Sequence, residues 1–260
     1  MIINSKQVLQ IEITKRFKSK RKILDLSDIQ LGPSLKDLSY LFKGVVVDMI
    51  TGLDAWDVSH IENFRGFLYK AKVRVVSSLT NWNTMSARDL GSFLNQCTAK
   101  EIGNLSKWDM RNVENLSAFI CESWVENIGD LSNWEFPNLK RADAAFYKSR
   151  IKSIGSMSKW GMKNLISVSD FLNSSKLKSI DDISEWKVDK VITLENFAYN
   201  SLIEDLGDIT KWNLLSLKVS NGAFENSPLE KKFCINEKGQ VIRIEHFKLL
   251  RRFLKCVGRN

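Results

Sequence analysis

The chain has 260 residues, 43% of them apolar, with 39 Lys and Arg against 30 Asp and Glu and a formal net charge of +9. That length and apolar content suffice for one folded core and exclude a disordered polymer. No run approaches the roughly 18 apolar residues of a membrane-spanning helix, and the first 25 residues contain no apolar secretion core. The expected location is the cytoplasm, with non-classical export as an effector left open.

Residues 1–25 read as an N-terminal β cap, with one strand over 7–14, a second over 22–26 and a basic turn between them. Residues 26–49 read as a degenerate capping repeat, because Pro33 and Phe42 have the spacing of Pro137 and Phe146. Terminal units of repeat proteins are expected to be atypical.

Residues 50–229 hold seven copies of one unit. Trp56, Trp82, Trp108, Trp134, Trp160, Trp186 and Trp212 stand 26 residues apart without a slip. A fixed period of that length marks a solenoid. Counting from each Trp, the columns at −6 (Ile50 to Leu206), −3 (Leu53 to Ile209) and +17 (Val73 to Leu229) are apolar in every copy. Such columns arise when one residue per coil points inward and stacks on its counterpart. The arc from +17 to −3 reads as one short parallel strand, ending in a bend at Gly103, Gly129, Gly155 and Gly207.

The other arc carries apolar residues near +5, +8 and +11, a spacing that predicts a short helix. Ser86, Asn112, Asn138, Asn164 and Ser216 at +4 would cap it. Phe146 and Phe224 fall one position late, which reads as an extra residue in that arc. Each Trp can bury ~150–250 Å², up to about 4–6 kcal/mol by area. Its indole N–H needs an acceptor, expected to be a turn carbonyl of an adjacent coil. The expected fold is thus α/β: a solenoid with one short parallel strand and one short helix per 26-residue coil. Residues 230–260 form its C-terminal cap, a hairpin turning at Lys238 and Gly239 followed by an amphipathic helix with Phe247, Leu250 and Leu254 on one side.

Asp130-Leu-Ser-Asn-Trp134, Trp56-Asp-Val-Ser-His-Ile61 and the run from Leu105 to Phe119 resemble the BspA-like leucine-rich repeats of bacterial surface proteins. The likeness extends over about 180 residues. It implies a right-handed leucine-rich-repeat-like solenoid and a role in binding.

The positive charge sits in the caps. Residues 50–229 hold 21 basic and 22 acidic side chains, against nine and five in 1–49 and nine and three in 230–260. That distribution argues against a long electropositive groove along the repeats. Catalytic inventory is thin. His60 and His246 stand far apart, the four Cys (Cys97, Cys121, Cys234, Cys256) lack metal-ligand spacing, and no phosphate loop or nucleophile elbow occurs. No enzyme, metal or cofactor is expected.

The leading reading is a protein-binding scaffold. Outward strand positions at +18 carry Arg74, Lys100, Glu126, Lys152, Lys178 and Glu204, a mixed ladder suited to a specific partner. At +16, Trp124 stands where polar residues are the norm, with Arg150 and Lys176 following in its column. An aromatic beside Arg is the composition of a binding hot spot, whereas a structural Trp124 would fold over a small neighbour such as Ala99. The alternatives are nucleic-acid or anionic-membrane binding through the basic caps, and an adhesin-like surface binding carbohydrate or a host protein, the last from the resemblance alone.

Overall fold

Inward-pointing columns require that equivalent residues of successive repeats sit side by side, and the pairing geometry meets that requirement. A computed structural model describes residues 1–17 and 22–244. The first strand arcs form a parallel sheet in the order β2 (Ile23–Asp25), β4 (Val46–Thr51), β5 (Lys72–Val76). Leu24 pairs with Ile50 and Ile50 with Val76, each step 26 residues. β1 (Ile2–Ile3) pairs with β3 (Gln30–Leu31) beside it.

After β5 the strand arc carries fewer backbone bonds, such as Glu126 N–H to Lys100 and a bridge between Glu101 and Asn127. The expectation of a strand in every coil therefore needs correction. β4 and β5 are rich in Val and Ile, whereas later arcs read Val125-Glu-Asn-Ile128 and Ile151-Lys-Ser-Ile154, with residues that suit a pleated surface poorly.

The helix expected in the other arc is not there either; among the described residues the sole α-helix is α1 (Lys6–Phe17). A ribbon of turns replaces it. Alternate N–H groups bond either three residues back or to the neighbouring repeat: Phe67 donates to Phe64, while Leu68 donates to Phe93. Left-handed residues recur at +10 (Ser92, Ala118, Ala144, Asp170, Asn196) and at +14 (Lys70, Gln96, Glu122, Lys148, Ser174, Asn200). Their φ values of about 50° are uncommon outside glycine, and the inter-repeat bonds hold them there. An unbroken series of parallel bridges follows, from Asp37 through Asn63, Asp89, Asn115, Arg141, Ser167 and Thr193 to Val219.

This ribbon also accounts for the late phenylalanines. Ala144 and Gly222 keep their left-handed places 26 residues from their neighbours, so no residue is inserted. Positions +11 and +12 both face the core. Leu94 and Ile120 are buried at +12 in other repeats, and Phe146 uses that place with Ala145 buried at +11.

The interior is continuous from Ile3 to Val241. All seven repeat tryptophans are at most 5% exposed. Trp82 and Trp108 stack with planes 10° apart and centroids 6.0 Å apart; Trp186 and Trp212 stack at 6.3 Å. Six indole N–H groups donate to the −3 carbonyl of the preceding repeat, as Trp82 does to Leu53 at 2.7 Å and Trp108 to Leu79 at 3.0 Å. Trp56, which faces the atypical 26–49 segment, leaves its buried Nε1 unpaired among the described residues.

Asn112, Asn138 and Asn164 are not caps. Each donates its side-chain amide to a backbone carbonyl of the preceding repeat, at 2.7–2.9 Å. The glycine column does form the expected bend: Gly103 and Gly129 have φ near 90°, and a Cβ on Gly129 would fall 2.0 Å from Oδ1 of Asn104.

The ends differ from the reading of residues 7–14 as a strand. α1 buries Leu9 and Ile13 while Val8 and Ile11 remain exposed, so the period of four prevailed over the alternation. Lys15 and Arg16 in its last turn suit the helix dipole, and Arg16 also donates to the Asp28 carboxylate at 2.6 and 2.9 Å. At the other end β6 (Phe233–Ile235) pairs antiparallel with β7 (Val241–Arg243). The helix expected after it, with His246 and Cys256, lies outside the described residues.

Candidate partner-binding face

Alternation along a strand places +16 and +18 on one surface with the buried +17 residue between them. Lys72, Arg74, Lys100, Trp124, Glu126 and Arg150 are all exposed there, as are Lys152, Lys176, Lys178 and Glu204 further along the stack. The nine residues singled out from the sequence thus share one face, each pair of neighbours one repeat apart.

They are not equivalent. Arg74, Lys100 and Trp124 line a groove of about 650 Å³ with Phe17, Val46 and Lys22. Phe17 closes it from α1, and Val46 presents an apolar side chain that is 69% exposed. This groove was not foreseen, because it needs the N-terminal segment to be a helix ending beside β4. Arg150, Lys152, Lys176, Lys178, Glu126 and Glu204 stand outside its lining.

Trp124 is 43% exposed, against at most 5% for the phased tryptophans. The Arg150 guanidinium sits 4.3 Å above its ring, a stacking worth roughly 0.5–1 kcal/mol at an exposed site. Trp124 N–H donates to Cys97 O at 2.9 Å, which fixes the backbone beneath the ring. Lys100 lies 4.0 Å from Glu126 and Lys22 4.0 Å from Asp48, loose enough to leave those charges available to a ligand.

Elsewhere on the surface the charges are paired along the stack. Glu62, Arg88, Glu114 and Lys140, one per repeat at +6, are joined at 3.6, 3.3 and 2.6 Å. The hydrogen bonds from Lys140 and Arg88 hold the Glu114 carboxyl below the usual carboxylate range.

The buried thiols are poor nucleophiles. Burial pushes Cys97 up to about 11 and Cys121 up to about 12, so both are protonated at neutral pH. His60 takes the +4 place of the asparagines, and its Nε2 is buried with no hydrogen-bond partner among the described residues. Among those residues no group of three His, Cys, Asp or Glu is placed to hold a metal ion, and no helix is long and apolar enough to cross a membrane.

Neither the curated proteins nor the solved structures contain a match to the chain. A family match covers residues 36–154 and, a second time, residues 143–235, so the family unit recurs along the 26-residue stack. The chain belongs to the repeat-containing family described as Mycoplasma protein of unknown function, DUF285.

Proposed function

We propose that the chain is a non-enzymatic protein-binding scaffold, a right-handed leucine-rich-repeat-like solenoid of the BspA-like kind, that engages its partner through the +16/+18 face. The observation that carries this reading is Trp124. Seven tryptophans are spent on the core, while the eighth stands 43% exposed beneath Arg150 at the rim of a groove. Half-exposed aromatics braced by Arg on a rigid surface are the usual anchors of protein interfaces. The protonated state of Cys97 and Cys121 speaks against thiol chemistry.

The test is affinity capture from the cells that make the protein, comparing wild type with Trp124→Ala and Arg150→Ala. The reading expects one co-purifying protein that both variants lose while keeping the wild-type circular dichroism spectrum. Equal capture by all three would refute this face as the site.

A further inference from the structure

Resting on that reading, we infer that the +16/+18 face recognises an acidic peptide segment of its partner, with an apolar side chain of that segment seated in the groove between Phe17, Val46 and Trp124. The repeats as a whole are almost neutral, at 21 basic and 22 acidic residues, and that balance conceals how the charges are sorted. In residues 50–229 the two outward columns hold seven Lys or Arg and two Glu, a surplus of five cations. The remaining positions of the same repeats therefore carry a surplus of six anions. The expectation that the repeats lack a basic surface came from the sum and does not survive sorting by column.

Two further observations select the ligand. Among the described residues, Lys72, Arg74, Lys152, Lys176 and Lys178 have no carboxylate within ion-pair distance, unlike the +6 ladder on another side of the stack. Cations repeated at the ~4.8 Å spacing of stacked strands repel one another, and an anionic ligand relieves that repulsion. The groove adds an apolar element: Val46 and Trp124 offer exposed hydrocarbon beside Lys72, Arg74 and Lys100.

A nucleic acid fits this face less well. Glu126 and Glu204 interrupt the cations and would oppose a phosphate at every unit. The face also has one aromatic, where single strands use a succession of stacking rings. A peptide can place carboxylates opposite the cations and neutral residues opposite Glu126. The guanidinium of Arg150, held by the Trp124 ring, is oriented to take a carboxylate through two parallel N–H donors.

The experiment uses the full chain and fluorescence anisotropy with a labelled twelve-residue peptide of Asp and Glu flanking a central Leu-Phe. The controls are the same peptide with Asn and Gln replacing the acids, a twelve-nucleotide single strand, and vesicles of phosphatidylserine and phosphatidylcholine. One variant reverses three charges on the face (Arg74→Glu, Lys100→Glu, Arg150→Glu). A second reverses three exposed lysines elsewhere (Lys107→Glu, Lys159→Glu, Lys163→Glu), so both carry the same net charge. The expected result is binding of the acidic peptide that weakens about tenfold or more from 50 to 300 mM salt. It falls at least tenfold further in the first variant than in the second, and the amide peptide does not bind.

Equal loss in both variants, no binding of the acidic peptide, or tighter binding of the oligonucleotide or the vesicles would overturn the inference. If the acidic peptide fails while Trp124→Ala still abolishes capture of a cellular protein, the acidic class is wrong and the scaffold reading stands. If Trp124→Ala and the first variant both leave capture intact, the scaffold reading of this face fails as well.

Discussion

Trp134 and Trp124 are ten residues apart and belong to different worlds. Trp134 is 1% exposed, stacks on Trp160 with centroids 5.9 Å apart, and donates its indole N–H to the Leu105 carbonyl of the preceding repeat at 3.1 Å. Trp124 is 43% exposed and touches solvent on the same surface as seven lysines and arginines. The first recurs in every repeat; the second occurs once. In a stack of equal units, a residue demanded by packing must recur, because each coil presents the same surroundings to the next. A residue that appears once, on a column otherwise free to vary, answers to something outside the stack.

The sharpest way to break the comparison is to delete from the recurring column. Trp134→Ala removes a buried ring and a buried hydrogen bond together and is expected to cost ~3–5 kcal/mol in denaturant unfolding; a loss under ~1 kcal/mol would show the column to be replaceable. A smaller effect follows from keeping the ring and removing the donor. Trp108→Phe leaves the Leu79 carbonyl without its indole partner, with an expected cost of ~1–3 kcal/mol. The same change at Trp56, whose Nε1 has no partner, is expected to cost less than at Trp108, and the difference between the two isolates the hydrogen bond.

The asparagine column offers a finer test. Asn138→Ala removes the amide bond to Arg111 O across repeats, and about 1 kcal/mol is expected. A helix cap would be rescued by Asn138→Asp or Asn138→Ser, because capping needs an acceptor. The observed bond needs a donor, so Asn138→Asp is expected to remain destabilised.

Acid acts through the turns. The backbone N–H groups of Ser59 and Ser184, followed by their hydroxyls, lower the Asp57 and Asp182 carboxyls below their usual value, and the Arg16 hydrogen bond lowers Asp28 to about 2. A lowered folded-state value favours the fold above the unfolded carboxylate value, near 4, and that contribution is lost as pH falls through the folded value. The melting temperature is expected to be level from pH 7 to about pH 5 and to decline from about pH 4 toward about pH 2. Asp57→Asn with Asp182→Asn keeps an acceptor in each turn and is expected to make that decline shallower.

Much of the core was legible from the sequence and the arcs around it were not. The period, the inward columns, the glycine bend and the acceptor of the indole N–H all follow from one rule, that equivalent residues stack. The turn ribbon was misread because apolar residues at +5, +8 and +11 satisfy a helix and a run of three-residue turns equally well. What separates them is where N–H groups such as those of Leu68 and Ile120 go, and that depends on the next repeat. The asparagines were misread with it, since a cap presupposes the helix. α1 was missed because Val8, Ile11 and Ile13 alternate with polar residues, while the contact that decides the matter is Leu9 and Ile13 against the core. The candidate face was present as two columns of letters, yet its basic character disappears in a whole-repeat sum.

The measurement that bears most directly on this account sets Trp124→Ala beside Trp134→Ala in one series of melting curves and partner captures. The account predicts that Trp134→Ala lowers the melting temperature by more than ~6 °C, while Trp124→Ala stays within about 2–4 °C of wild type, as expected for ~1 kcal/mol in a chain of this size, and loses the partner. A Trp124→Ala protein that melts as early as Trp134→Ala, or that keeps its partner, would contradict it.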